Sequence, residues 1–503
     1  MSEFVNNTKK WWVLVGVSIA SFLGCIDFTI VNTALPAIQL GLHATVTQLQ
    51  WIINVFILAL STFMVIMGRL ADLYGRRLVL YIGMIVFCLS SLGAGLSNTM
   101  HLLILFRFIQ GISCAILYTA SGSIVFHAFP SEERNQAMGF FFGASTLGLA
   151  MGPVVGGLLV GALSWRWVFF VNVPTIILGF MICLASVQES YNRAHGSKID
   201  WFGMIFLMLG LTGLILAITQ GGQWGWQSWK TNSLFLTAFL AFSSFYFIEN
   251  RVESPIIQFH LFTNRIFISS AIATFSLAFF YCLAFFLLPL YLQNMRNETE
   301  YIVGFMLLPA TAMVALCSPV AGKLADRVGV KIPLLLGFSF LVISALLQTQ
   351  LAPSSSLSYV MISFILFGMG WACILGPSTV AALSSVPEDI SSVAIGSSWT
   401  MHNVGGAVGL AIGVVVYHAG AQAALLGDLA ARQVTPGAWA GDILSDPSKA
   451  VNLLGQYSNL GSSEITSIFQ SFFMSGFHCA MWLLVGVSLA ALAGIAWGLR
   501  KTP

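Results

Sequence analysis

Long apolar runs separated by short polar links fill almost the whole chain, and they leave it one kind of fold. Runs able to cross a hydrocarbon core of about 30 Å lie, with soft edges, at 12–36, 48–68, 78–97, 102–128, 137–163, 167–187, 201–220, 233–249, 267–292, 302–321, 332–351, 358–384, 394–418 and 468–498. A backbone in lipid must satisfy its own polar groups, so these runs predict fourteen transmembrane helices and an all-α integral membrane protein. The composition agrees: 57% of the residues are hydrophobic and 8% charged, against roughly 25% charged in a soluble domain.

The spans are not independent. Gly68-Arg69-Leu70-Ala71-Asp72-Leu73-Tyr74-Gly75-Arg76-Arg77 is echoed by Gly322-Lys323-Leu324-Ala325-Asp326-Arg327-Val328-Gly329-Val330-Lys331, each between two apolar runs. Gly111, Pro130, Ala137, Gly139, Gly148, Gly152 and Gly156 map at one constant offset onto Gly368, Pro387, Ala394, Gly396, Gly405, Gly409 and Gly413. The repeat pairs spans 1–6 with spans 9–14 and leaves spans 7 and 8 as an insertion. The expected organisation is an N-terminal six-helix bundle (1–190), an inserted two-helix hairpin (191–255) and a C-terminal six-helix bundle (256–503) with an outer loop at 420–467. Two parallel six-span halves are the plan of alternating-access transporters.

Charge sets the expected orientation. With the N-terminus in the cytosol, Lys9, Lys10, Arg69, Arg76, Arg77, Arg134, Lys323, Arg327, Lys331 and Arg500-Lys501 are among the cations inside, whereas Arg166, Lys230, Arg296, Arg432 and Lys449 are outside. The net charge of +3 is spread over those inner loops and gives no case for a nucleic-acid partner. The polar residues 1–10 run directly into a full-length span, which argues against a cleaved secretory signal. All eight cysteines lie in apolar spans without metal-ligand spacing, so no metal or cofactor is implied. No reactive cluster of the kind an enzyme needs stands out. Trp224, Trp226 and Trp229 in the outer turn of the hairpin read as interfacial anchors.

Charge within a span is expensive, and Asp27 and Arg107 are the residues that carry it. Counting rise from the span ends puts them at similar depth, where they can meet directly or through water. The pair either takes part in function or only neutralises itself between spans 1 and 4. Its approximate repeat positions hold Phe280 and Phe364, so the charge belongs to one half, which favours specialisation over architecture. Gln110 shares a helical face with Arg107, and Asn32 follows Asp27; each lines a cavity or makes an interhelical hydrogen bond. In span 13, Trp399, His402 and Asn403 precede Gly405-Gly406. His402 is either a hydrogen-bonded packing residue or a second proton site. In the duplicated loop, Gly68 and Gly75 permit a tight turn, Asp72 can face a helix N-terminus, and Arg76 or Arg77 can pair with it. Together with Gly322, Asp326 and Arg327 this reads as a latch, or as a set of topology-setting charges. Gly148, Gly152 and Gly156 form a small-residue stripe with Pro153 inside it; in the second copy Leu410 replaces the proline.

These residues carry a resemblance. The decapeptide resembles the loop 2–3 signature of the major facilitator superfamily. Ile26-Asp27-Phe28-Thr29-Ile30-Val31-Asn32-Thr33-Ala34-Leu35-Pro36, Arg107-Phe108-Ile109-Gln110-Gly111, Gly148 to Gly157, Trp165 to Pro174 and Asp200-Trp201-Phe202-Gly203 resemble its fourteen-span drug:proton antiporter branch. The resemblance spans essentially the whole chain. It implies that Asp27 couples protons and is a candidate for cation recognition, that Arg107 transfers protons, that the loop latch holds one access state, and that the Pro153 stripe limits ion leakage. Many relatives carry Arg-Gln where this chain has His402-Asn403. The implied function is export of small lipophilic compounds in exchange for protons, with export of one metabolite such as a siderophore or lipid as the alternative. The implied setting is a plasma or bacterial inner membrane with both termini cytoplasmic. In a double-membraned bacterium the resemblance also allows a periplasmic adaptor protein as partner.

Overall fold

A computed structural model of the chain describes residues 7–44, 46–189, 200–252, 255, 263–298, 300–387, 390–434, 454 and 461–499. Among the described residues there are fourteen helical spans long and apolar enough to cross a membrane, and no strand. The first six are α1 (Asn7–Leu42), α2 (Val46–Tyr74), α3 (Arg76–Gly95), α4 (Met100–Ala128), α5 (Arg134–Ala162) and the pair α6 (Trp167–Phe170) and α7 (Asn172–Ser186), which together make one span. The inserted hairpin is α8 (Trp201–Trp224) and α9 (Trp229–Glu249). The second six are α10 (Arg265–Arg296), α11 (Glu300–Val328), α12 (Lys331–Gln348), α13 (Leu357–Ser384), α14 (Ser391–Ala431) and α15 (Ser462–Gly498).

Local chemistry starts and stops these helices. Thr99, Asp200, Ser228, Asn264 and Ser356 cap α4, α8, α9, α10 and α13 by accepting a hydrogen bond from a first-turn N–H. Gly75 and Gly329 end α2 and α11 at φ of 106° and 81°, a region closed to most side chains, so the chain reverses there into α3 and α12. α14 runs on to Ala431, which moves the start of the expected outer loop from 420 to beyond that residue. The extension is rich in Ala and Leu, and Ala421, Leu425 and Leu429 bury one stripe of it. Most of the remaining loop lies outside the described residues.

The two sixes pack alike. α1 contacts α4, α5 and α7, and α10 correspondingly contacts α13, α14 and α15; α4 lies against α2 and α3 as α13 lies against α11 and α12. Between the sixes, α2 meets α14 and α5 meets α11, a pair of contacts that the repeat exchanges. The hairpin packs α8 on α9 and sets α8 against α2 and α14. There Met204, Leu207, Leu211 and Ile215 form a small cluster with Val65 and Ile66 of α2. An even number of spans places the start of α1, the α2–α3 turn, the α11–α12 turn and the end of α15 on one face, here the terminal face.

Candidate functional site

Asp27 and Arg107 make a direct ion pair inside the first six helices, with 0% and 1% of their side chains exposed. The Arg107 Nη1 donates to Asp27 Oδ2 and, at 3.1 Å, to Gln110 Oε1; its Nε donates to the Ile52 carbonyl at 3.3 Å. Its guanidinium lies over the Phe56 ring, 4.2 Å from the centroid. The other carboxylate oxygen, Asp27 Oδ1, accepts from Asn172 Nδ2 at 2.8 Å and from Gln110 Nε2 at 3.3 Å. Ser91 Oγ accepts from both amides, at 2.7 and 3.3 Å. Helix α1 thus carries the acid, α4 places two polar groups around it and α3 and α7 one each, and α2 closes the site with a backbone carbonyl. Gln110 therefore belongs to the acid's own network and makes the interhelical hydrogen bonds that its place on α4 allowed. Asn172 and Ser91 were not singled out from sequence. The corresponding place in the second six is apolar: Phe280 and Phe364 are fully buried, and Phe280 packs on Phe367 at 5.2 Å.

Between this network and the terminal face lies a layer of rings that joins the two sixes. Tyr118 stacks on Trp399 at 5.4 Å, and Phe142 sits 6.0 Å from the same indole. Trp399 meets His402 edge-on at 4.9 Å, His402 stacks on Tyr281 at 5.4 Å, and Tyr281 stacks on Trp371 at 4.8 Å. His402 Nδ1 lies 3.2 Å from the Thr274 carbonyl. Asn403 Nδ2 reaches Met64 Sδ of α2 at 3.6 Å. Tyr118 also ties the layer to the acid's helix through a 3.0 Å contact with Cys25 Sγ. Asn32, five residues beyond Asp27 on α1, is exposed.

Towards the terminal face the sixes are drawn together by backbone. A Cβ on Gly68 would strike the Ser392 carbonyl, and one on its repeat mate Gly322 would strike the Asn135 carbonyl; Gly139 and Gly396 meet the Ser318 and Met64 carbonyls in the same reciprocal way. Asp72 then faces the first turn of α14 and accepts from Ser392 N at 3.2 Å and Val393 N at 2.9 Å, where the helix dipole favours its charge. Arg76 donates to it from Nε and Nη2 at 3.1 and 3.0 Å. Arg77, the other expected partner, turns instead to Glu189 at 3.8 Å and the Val187 carbonyl, tying α3 to the end of α7. In the second copy Asp326 accepts from Asn135 N, Asn135 Nδ2 and Gln136 N at 3.0, 2.7 and 2.9 Å. Val330 stands where Arg76 would be, and Arg327 is exposed. Both copies therefore face helix N-termini across the repeat, but with different chemistry.

The glycine stripe is a close helix contact in both halves. Gly148 and Gly156 leave no room for a Cβ against Phe22 and Ile30 of α1, and Gly405 and Gly409 leave none against Phe275 and Phe279 of α10. Pro153 withholds the N–H that would reach the Leu149 carbonyl, and Thr29 of α1 supplies the missing donor: its Oγ1 lies 3.2 Å from that oxygen. Thr29→Val is expected to leave the carbonyl without that donor and lower stability by about 1–3 kcal/mol. Thr29→Ser should retain most of it. Thermal melting of the purified variants, with equal melting of parent and Thr29→Val as the failing result, checks this.

Against known proteins, the Major Facilitator Superfamily model matches residues 17–410. "Multidrug resistance protein Stp" of Mycobacterium tuberculosis is 32% identical over 408 residues, which cover 81% of this chain and 75% of that protein. "Tetracenomycin C resistance and export protein" of Streptomyces glaucescens is 28% identical, covering 98% of this chain and 92% of that one. "Multidrug transporter protein MdtP" of Bacillus subtilis is 29% identical over 82% of this chain and 76% of its own length. Among solved structures, the human organic anion transporter MFSD10 superposes with a TM-score of 0.62 over 97% of this chain and 99% of that one, at 13% identity, a likeness of fold. The duplicated sixes, the inserted hairpin and these matches together show that the chain, with fourteen membrane-length helices among its described residues, belongs to the Major Facilitator Superfamily.

Proposed function

We propose that this protein exports small lipophilic compounds in exchange for protons, by alternating access between its two six-helix halves. The observation that carries the reading is the Asp27–Arg107 pair, a buried charge pair present in one half of a duplicated scaffold. With Asp27 ionised the two charges cancel. A proton on Asp27 would leave Arg107 as a buried cation without its counter-charge, and breaking such a pair costs about 3–5 kcal/mol, enough to favour another packing of the halves. The conformation described is latched at the terminal face; the excess of Lys and Arg there supports a cytosolic placement, and the setting that fits the reading is a plasma or bacterial inner membrane. The ring layer from Tyr118 to Trp371 offers stacking surfaces for aromatic cargo at the seam of the halves.

The multidrug names of two relatives support a broad lipophilic cargo; the tetracenomycin C exporter supports the second reading, export of one metabolite. In a double-membraned bacterium, release at the outer face would bring cargo to where a periplasmic adaptor protein can take it on. The test is transport by the purified protein in proteoliposomes under an imposed pH gradient, with a panel of lipophilic dyes. Dye accumulation that follows the gradient and collapses with a protonophore supports exchange with protons. Dye movement indifferent to the gradient would remove the coupling, and no dye movement would favour the dedicated exporter.

A further inference from the structure

The hydrogen bonds around Asp27 are all arranged for an ionised carboxylate. Arg107 Nη1, Asn172 Nδ2 and Gln110 Nε2 each point a donor at it, and a carboxylate can only accept. A protonated Asp27 needs the opposite, an acceptor for its new O–H, or else one of its neighbours must change. Gln110 cannot readily turn, because its Oε1 already receives Arg107 at 3.1 Å while its nitrogen is held by Ser91 at 2.7 Å. Asn172 differs. Its side chain is fully buried, its nitrogen sits 2.8 Å from Asp27 Oδ1, and its Oδ1 is enclosed with no hydrogen-bond partner. A buried amide oxygen without a donor costs about 1–3 kcal/mol, and such an exception calls for a reason.

We propose that Asn172 is a positioning residue that reads the protonation state of Asp27, by turning its amide so that Oδ1 accepts the new Asp27 O–H. The proposal rests on the reading of Asp27 as the coupling acid. One proton enters and stays on Asp27 Oδ1; the carboxylate becomes a neutral carboxyl, Arg107 keeps its charge, and the cluster goes from neutral to singly positive. The amide turns about its Cβ–Cγ bond, bringing the orphaned oxygen to the place of Nδ2, within reach of the acid and of the Ser91 hydroxyl. The turned amide stabilises the protonated acid, and the original orientation stabilises the ionised one. Because Asn172 is the first residue of α7, its swing couples the acid to the junction with α6. The other titratable or charged groups around Asp27 are Arg107, Cys114 and Tyr118 from α4 and Cys25 from α1, while α3 and α7 present Ser91 and Asn172.

The experiment is infrared difference spectroscopy of the purified protein in lipid, titrated with pH, for the parent and for Asp27→Asn, Asn172→Val and Asn172→Thr. Valine and threonine match in shape, but threonine keeps a hydroxyl able to donate and accept. The parent is expected to show a protonated-carboxyl band that is absent in Asp27→Asn, accompanied by a side-chain amide C=O difference band. In Asn172→Val the carboxyl band should move to the higher frequency of a carboxyl whose O–H has lost its acceptor, and pH-driven export should fall. Asn172→Thr should restore the carboxyl band position while losing the amide band. If Asn172→Val fails to fold, the amide band in the parent, lost in Asn172→Thr, still decides. A carboxyl band unmoved in Asn172→Val, or no amide band in the parent, overturns the role of Asn172 and leaves Asp27 coupling intact. Absence of any Asp27-dependent carboxyl band overturns the coupling reading itself.

Discussion

Asp27→Asn is expected to abolish export driven by a pH gradient while leaving the protein in the membrane. The substitution keeps the shape of the side chain and removes its ability to gain or lose a proton, so the site is held in one charge state. It also strips Arg107 of its counter-charge. A buried pair broken on one side costs about 3–5 kcal/mol, so part of any loss would come from stability and not from coupling. A second variant separates the two. In Asp27→Asn with Arg107→Gln the site carries no charge, and the two introduced amides can pair with those of Gln110 and Asn172. Folding should recover in that double variant, and pH-driven export should not. Asp27→Glu keeps a carboxylate one methylene further out and should retain part of the activity. Export by Asp27→Asn at the parental rate, still responsive to external pH, would make the pair structural and move attention to His402, whose Nδ1 already lies 3.2 Å from a carbonyl in the ring layer.

The route from sequence to this site was uneven for physical reasons. Asp27 and Arg107 were legible because charge in a lipid-spanning run is costly and therefore conspicuous. Gln110 was correctly placed on the face of Arg107, since three residues along a helix bring side chains together, but sequence could not tell whether that face looks into a cavity or into the bundle. Asn172 and Ser91 sit on other helices, and neutral polar residues in spans serve many packing roles, so only the bond of Asn172 to Asp27 Oδ1 and the acceptance by Ser91 from Asn172 and Gln110 mark them. The latch shows the same limit at finer scale. Arg76 and Arg77 are neighbours in sequence and point to different helices, because Gly75 at φ 106° sets where α3 begins and so which arginine turns back to Asp72. The end of span 13 was misjudged for a different reason. Its hydropathy fades after 418, yet its Ala and Leu content and the buried stripe against α15 carry the helix on.

Asp72→Asn is expected to loosen the terminal face more than Asp326→Asn, although the two acids hold equivalent places in the repeat. Asp72 is 5% exposed and gathers donors from Ser392 N, Val393 N and two nitrogens of Arg76. An amide there has one oxygen where there were two, and its nitrogen would face N–H groups, donor against donor. Hydrogen bonds to a charged group are worth about 1.5–3 kcal/mol each, so losing two approaches the roughly 5.5 kcal/mol that carries a two-state equilibrium from one extreme to the other. Asp326 is less enclosed, and its surroundings adapt. Asn135 gives it a side-chain nitrogen at 2.7 Å and keeps a buried oxygen without a partner, so that amide can turn and accept from the amide introduced by Asp326→Asn. The closed face has its own reporter: Ser123 and Ser391 bring their hydroxyl oxygens to 2.6 Å across the two halves, so a cysteine pair at these positions should cross-link readily in the latched state. Cross-linking of Ser123→Cys with Ser391→Cys should fall sharply on adding Asp72→Asn, with transport falling alongside, and only slightly on adding Asp326→Asn. Equal loss from both substitutions would mean that the two copies hold the face alike and that the arginine in the first adds nothing to the latch. No loss from either would reduce the repeated loop to a determinant of topology.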